Sequence, residues 1–311
     1  MDKNSKIFVA GHQGLVGSAL VKVLKGDGFN NLLLRTREEL DLMDQKGVFD
    51  FFSQEKPSYV FVAAAKVGGI NANSSYPADF LYMNLQIQNN IIEASYRSGV
   101  DKLLFLGSSC IYPKKPQIPI REEELLSGPL EPTNEWYAIA KIAGLKMCQA
   151  YWKQYGCKFV SVMPTNLYGP GDNYDLQNSH VLPAMIRRFH EAKTAGKDSV
   201  TLWGSGSPKR EFLYSEDLAR ACLVVMEKYE VNETINIGCG DDMTIKELAE
   251  TVASVVGFEG RLEWDTTKPD GTTRKLLESS KIFALGWAPS VTLRDGIALA
   301  YEDFLKRFAR D

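Results

Sequence analysis

Short apolar runs alternate with helical stretches through the first 164 residues, and this alternation narrows the fold more than any other property of the chain. Lys6–Ala10, Asn31–Arg35, Tyr59–Ala64, Lys102–Leu106 and Lys158–Met163 are brief and rich in aliphatic side chains. Between them Leu15–Lys25, Lys46–Glu55, Asn84–Ser98 and Glu135–Tyr155 carry helical spacing. Strands that are apolar on both faces and separated by helices belong in a parallel sheet covered on both sides. The predicted fold class is α/β, a Rossmann-type doubly wound parallel sheet.

Past Pro164 the rhythm changes. Asn166–Gly171 is turn-rich, His180–Ala195 has helical spacing, and Leu202 to Pro208 reads as a loop after a short strand. Ser215–Tyr229, Met243–Val256 and Thr292–Phe308 are further predicted helices, with Thr244 as an N-cap, and Thr234–Ile237 is one more strand. These segments predict a smaller α/β lobe over the carboxyl edge of the sheet, where ligands of such folds sit.

The first strand runs into Gly11-His12-Gln13-Gly14-Leu15-Val16-Gly17, which opens the first helix. Glycines there permit a tight turn and close approach of a pyrophosphate to a helix N-terminus. The second strand ends at Leu34-Arg35-Thr36-Arg37, with no acid until Glu38. An NAD site usually carries an acid there for the ribose 2′-hydroxyl, whereas a guanidinium suits a 2′-phosphate. The expected cofactor is therefore NADP(H), held through Arg37, with Arg35 either a second ligand or a solvated loop charge. Asp41 and Leu42 follow where an adenine edge rests.

Ser108 ends the fourth strand, and Tyr137 and Lys141 lie four apart on one helix. Such spacing puts both side chains on one face, one turn apart. A neighbouring ammonium favours tyrosinate, so the pair is expected to lower the phenol's pKa and exchange a proton at a carbonyl oxygen. A Tyr-x-x-x-Lys pair alone is commonplace. Beside a dinucleotide turn and a strand-end serine it reads as a hydride-transfer site.

Several function classes fall away. A net charge of −3 and the lack of a basic stripe argue against nucleic acid. No apolar run is long enough for a membrane span, and the first residues lack a signal segment. The five cysteines form no Cys-x-x-Cys pair, which suits reduced thiols in a cytoplasm. His12, His180 and His190 lack metal-ligand spacing, so no metal is expected.

The chain closely resembles extended short-chain dehydrogenase/reductases acting on nucleotide sugars. Within them it is most similar to the NADPH-dependent enzymes that epimerise GDP-4-keto-6-deoxy-D-mannose at C3 and C5 and reduce it at C4, giving GDP-L-fucose. The resemblance runs nearly end to end. It rests on Gly11–Gly17, Ala63–Gly69, Leu106–Pro113, Glu131–Asn134, Tyr137–Lys141, Pro164–Pro170, Asn178–His180, Trp203–Gly206, Arg210–Phe212 and Lys268–Gly271.

The resemblance implies that Tyr137 and Lys141 serve hydride transfer, with Ser108 bonding the reacting oxygen. It implies that Cys110 and His180 are the acid/base pair of epimerisation. It sets Pro164, Asn166, Leu167 and His180 near the nicotinamide. It places Arg188, Trp203, Arg210 and the Lys268–Gly271 segment, with Lys268 and Asp270, on the GDP-sugar. Trp203 either stacks on a base or sugar or packs between lobes; Tyr112 is a core aromatic or part of the pocket wall. Gln13 stands where some members have an arginine near the adenosine phosphate, which shifts that contact to Arg37. The implied layout is an NADP-binding domain of residues 1–164 and 213–240 and a substrate-binding domain of 165–212 and 241–311. A homodimer pairing Asn84–Ser98 and Glu135–Tyr155 across a two-fold axis is also implied.

Alternatives remain. A 4,6-dehydratase needs acids just after its serine or threonine, where this chain has Ser109 and Cys110. A simple 4-epimerase has no need of Cys110 and His180. An idle dinucleotide sensor would be expected to lack the Ser108, Tyr137 and Lys141 set. A reductase of a related GDP-6-deoxy-4-keto sugar, such as a heptose, keeps all of it.

Overall fold

The chain opens with β1 (Ile7–Ala10), α1 (Leu15–Gly26), β2 (Leu32–Leu33), α2 (Gln45–Glu55) and β3 (Tyr59–Val62). It continues with α3 (Ile70–Ser75), α4 (Pro77–Arg97), β4 (Lys102–Leu106), α5 (Glu135–Tyr155) and β5 (Lys158–Pro164). This computed structural model describes residues 1–176, 178–268 and 270–308; Pro269, inside the Lys268–Gly271 motif, is outside them.

These strands and β10 (Thr234–Ile237) make a six-stranded sheet in the order β10-β5-β4-β3-β1-β2. Every neighbouring pair in it is parallel. Side chains alternate across it, as the pleat requires. Ile7 and Val9 join a core with α1 and α7 (Ser215–Lys228), while Phe8 and Ala10 join one with α2, α4 and α5. The strand order reverses between β1 and β3, which opens the crevice where ligands of doubly wound sheets bind. The glycine turn leaves β1 at that point.

The remaining segments are β6 (Asn166–Tyr168), α6 (Val181–Thr194), β7 (Ser199–Trp203), β8 (Lys209–Arg210), β9 (Phe212–Tyr214), β11 (Met243–Thr244), α8 (Ile245–Val256), β12 (Arg261–Asp265), β13 (Arg274–Lys275), α9 (Ser280–Ala284) and α10 (Leu293–Phe308). Faces of α6, α8 and α10 enclose a separate core around Phe189, Leu248, Val252 and Phe304. Ile282 and Trp287, late in the chain, pack instead into the first core.

Two expectations shift. The helix expected from Asn84 begins at Pro77, because proline at a first helical position costs no hydrogen bond. The helix expected from Met243 begins at Ile245, after two residues that pair with β8. Thr244 caps it as expected: its hydroxyl accepts from the Glu247 amide at 3.1 Å, and the Glu247 carboxylate accepts from the Thr244 amide at 2.7 Å.

Candidate active site

The glycine turn is built around contacts that no side chain would allow. Gly11 has φ +81°, and a Cβ there would lie 2.7 Å from the backbone of Ala64, just past β3. A Cβ on Gly17 would lie 2.0 Å from the Gly11 carbonyl oxygen. The first turn of α1 therefore packs onto the sheet edge at the switch point. Gly14 precedes α1 with no side-chain cap, and the first turn carries no acid, so its amides face outward for an anion. The buried Nδ1 of His12 has no partner. These features fit a dinucleotide pyrophosphate.

The two arginines after β2 differ. Arg35 donates to Glu55 at 3.0 Å and to the Leu34 carbonyl at 3.0 Å, and lies over the Phe51 ring. That ties it to α2 and engages its guanidinium with a partner within the protein. Arg37 is exposed. The Leu42 carbonyl accepts from buried Asn90 at 2.9 Å, which fixes the Asp41–Leu42 segment against α4.

At the end of β4 the chain makes a short 3₁₀ turn, Ser109–Ile111, capped by Ser108, whose hydroxyl accepts from the Cys110 amide at 3.2 Å. The turn packs against α5, which carries Tyr137 and Lys141. The Tyr137 phenol lies beside the Ser108 hydroxyl, and the Cys110 sulfur is near enough to act on it electrostatically. Lys141 points from the same helix toward β4, donates to the Leu106 carbonyl at 2.8 Å and lies 5.8 Å from the Tyr137 ring centre.

The expected lowering of the Tyr137 pKa is not what this geometry gives. Burial pushes the phenol up, the Cys110 sulfur adds to the rise, and only Ser108 opposes it. Burial also pushes Lys141 down to about 8, and its ammonium is directed to a carbonyl. The protein thus holds Tyr137 as a neutral phenol, the form that can give a proton.

Asn178–His180 is seated by backbone contact. The Gly69 amide donates to the Asn178 carbonyl at 2.9 Å, and a Cβ on Gly69 would lie 2.8 Å from the Ser179 oxygen. The second glycine of Ala63–Gly69 therefore exists for this approach. His180 opens α6 without capping it through its side chain. The residue is exposed, and desolvation by the protein around the ring lowers its pKa.

On β5 and β6, Pro164 is buried, Leu167 packs on the first core, and the Asn166 amide donates to the Glu211 carbonyl at 2.8 Å. Arg188 is half-buried, whereas Arg187 pairs with Glu191 at 2.7 Å. Trp203 is 64% exposed, so it does not pack between lobes; Lys268 lies over its ring. Asp270 accepts from the Ser205 amide at 2.6 Å and closes the Gly204–Gly206 loop. Arg210 leans on the Lys209 carbonyl at 2.8 Å, and burial lowers its pKa. Tyr112 is core: it is 2% exposed and its hydroxyl donates to Asn236 at 2.6 Å.

The motif reading gave no role to four residues, although Asn134 and Glu211 lie inside two of its segments, Glu131–Asn134 and Arg210–Phe212. Asn84 is buried and holds both backbone groups of Lys66, at 2.9 and 3.0 Å, which fixes the Ala63–Gly69 loop. Glu211 is fully buried and accepts from the Gly240 and Leu277 amides at 2.9 and 3.1 Å. An acid next to the apolar Phe212–Tyr214 run was its signal. Asn134 and Lys275 both reach Cys110, at 3.2 and 3.9 Å. Asn134 stands one turn before Tyr137; nothing in sequence links Lys275 to a cysteine so far away.

Residues 7–238 match the family described as NAD dependent epimerase/dehydratase. The chain is 62% identical to GDP-L-fucose synthase 1 of Arabidopsis thaliana, over 98% of this chain and 94% of that one. It is 54% identical to GDP-L-fucose synthase of Escherichia coli, over 97% of each. A solved GDP-mannoheptose C4 reductase from Campylobacter jejuni with NADP bound superposes with a TM-score of 0.90 at 42% identity, covering 98% of this chain and 99% of the other. A glycine turn at the switch point and a serine, tyrosine and lysine at the end of β4 are thus matched by similarity along the whole length, and the chain belongs to the NAD dependent epimerase/dehydratase family.

Proposed function

We propose that this protein converts GDP-4-keto-6-deoxy-D-mannose to GDP-L-fucose by 3,5-epimerisation and NADPH-dependent 4-reduction. The observation that carries the reading is the clustering of a phenol, a hydroxyl and a thiol at the end of β4, with Ser108 beside Tyr137 and Cys110 on the same short turn. A reductase needs the first two; the thiol adds a base for the carbons beside the ketone. The GDP-L-fucose synthases of a plant and a bacterium, similar along the whole chain, support it.

Gly11, Gly14, Gly17 and the α1 amides hold the pyrophosphate, and Arg37 holds the 2′-phosphate. His12, Gln13, Leu15, Val16, Asp41, Leu42, Pro164, Asn166 and Leu167 line the rest of the cofactor's path. Bound there, NADPH supplies the hydride. Ser108 and Tyr137 bond O4 and stabilise the charge that develops on it. Cys110 and His180 remove and return protons at C3 and C5, and Tyr137 then protonates O4. Lys141 orients the strand end beside Tyr137. Arg188, Trp203, Arg210, Lys268 and Asp270 form the GDP-sugar side, Asp270 by shaping its loop. Residues 1–164 with 213–240 act as the cofactor domain, and 165–212 with 241–311 as the substrate domain.

The working unit is a cytoplasmic homodimer built on α4 and α5, whose Tyr82 and Trp136 are 61% and 42% exposed. Light scattering at micromolar concentration checks the dimer. The main test offers the keto sugar and NADPH in deuterated water. The expected product is GDP-L-fucose carrying deuterium at C3 and C5, with one NADPH oxidised for each. Reduction without deuterium at either carbon overturns the epimerase half. The solved heptose reductase favours a second reading, in which a GDP-4-keto-heptose is reduced; a higher kcat/KM on that sugar would select it.

A further inference from the structure

Cys110 sits where two parts of the molecule meet. Its own turn comes from the sheet edge. Asn134 Nδ2 donates to its sulfur at 3.2 Å, and Lys275 Nζ approaches it at 3.9 Å from β13. We propose that Lys275 and Asn134 are positioning residues for the Cys110 sulfur, holding it in place to remove the proton beside the ketone. This inference rests on the epimerase–reductase reading above.

Asn134 occupies the N-cap of α5, where an asparagine normally accepts from the first amides of the helix. Here its side chain makes no capping bond. It turns to the sulfur instead, and its Oδ1 is buried without a partner. A side chain at a good capping position that leaves the cap unmade is committed elsewhere.

Lys275 is held firmly. β13 pairs in parallel with β8, Lys275 beside Arg210. The next carbonyl, of Leu276, accepts from the Ile120 amide at 2.8 Å, and the Leu277 amide donates to buried Glu211 at 3.1 Å. The ammonium is therefore delivered to Cys110 by the same segment that anchors the substrate side. An adjacent cation and a hydrogen-bond donor favour the charged form of a thiol.

The chemistry balances without a further reactant. The thiolate takes the proton from the carbon beside C4, and the C–H electron pair becomes the C–C double bond of an enolate whose charge lies on O4. An acid on the opposite face returns a proton to that carbon. The thiol releases its proton to solvent, which is how deuterium enters.

The test compares wild type, Lys275→Met, Lys275→Gln, Lys275→Arg and Asn134→Ala. Iodoacetamide labelling of Cys110 at neutral pH is followed by peptide mass spectrometry, and deuterium entry is measured against NADPH oxidation. Labelling is expected to fall about tenfold in Lys275→Met and Lys275→Gln and to recover in Lys275→Arg, because only the thiolate reacts. The ratio of deuterium entry to NADPH oxidation should fall with it, and by a smaller factor in Asn134→Ala. Lys275→Gln keeps a hydrogen-bonding end on an uncharged side chain, so it carries the test if Lys275→Met does not fold. Wild-type labelling and wild-type exchange in Lys275→Gln overturn the inference. Full exchange in Cys110→Ser likewise overturns the inference, since Cys110 is then not the base, whereas reduction by the wild type without deuterium entry overturns the epimerase reading instead.

Discussion

Along the six-stranded sheet, strands such as β3, β4 and β5 lie beside partners reached through a single crossover, whereas the strands of the second lobe find theirs far along the chain. There β8 pairs with β11 and β13, and β7 with β12. The first region is held by continuous apolar packing on both faces of the sheet. The junction with the second is held by buried polar tethers. Glu211 grips the Gly240 and Leu277 amides, and Asp217 accepts from the Ser290 and Val291 amides at 3.0 and 2.9 Å. Within the first region, Lys102 closes the end of α7 by donating to the carbonyls of Val225, Met226 and Tyr229. Packing tolerates modest shape change, while a buried charge without partners is costly. Residues beside the tethers are therefore held in fixed places, and Lys275, two residues from Leu277, is one of them.

The comparison breaks most sharply at Tyr137. If the chemistry resides in the first region, Tyr137→Phe should slow C4 reduction by roughly 10² to 10⁴, the usual worth of a positioned acid, with little change in unfolding. Steady-state NADPH oxidation and a urea melt check this, and a near-normal rate would move the acid elsewhere.

Next is the junction. Glu211→Ala leaves two buried amides unmatched and should cost about 3 kcal/mol, since hydrogen bonds to charged groups contribute roughly 1.5–3 kcal/mol each. The urea midpoint measures it. A loss no larger than that of a surface glutamate would mean that apolar packing alone joins the regions.

Asp172 lies near α10, beside Arg307 and Asp303, and burial pushes its carboxyl from 3.8 up to about 7. The folded chain then keeps a proton that the unfolded chain releases. Stability therefore falls as pH rises from about 4 to about 7 and levels off above. Asp172→Asn should flatten that slope and be the more stable protein at pH 8, by more than about 1 kcal/mol, the worth of one pKa unit. Urea midpoints at pH 5 and pH 8 decide it, and parallel slopes for the two proteins would refute it.

The smallest effect is expected inside the second lobe. Thr244→Ala removes a capping box and should cost about 1 kcal/mol, typical of a lost N-cap. A thermal melt suffices, and no change would mean that packing alone holds the start of α8.

Legibility in the sequence follows the same divide. The glycine turn, Ser108, Tyr137 and Lys141 could be read because strand, turn and helix are adjacent in the chain and their periods are local. Thr244 as an N-cap was legible for the same reason, while its reciprocal bond with Glu247 emerged from the structure. The two- and three-residue strands of the second lobe were not, since so short a run has no period and is defined only by its partner. Arg35 and Arg37 look alike in the sequence; Glu55, twenty residues on, separates them.

The sequence by itself determined the doubly wound sheet, the dinucleotide turn and the identity of the strand-end groups, because each follows from residues a few positions apart. Only the tertiary structure decided their state. It made Tyr137 a neutral phenol, since burial outweighs a lysine that points at a carbonyl. It also brought Lys275 and Asn134 to the Cys110 sulfur. Dielectric and distance belong to the folded arrangement of the chain, and no spacing along the sequence encodes them.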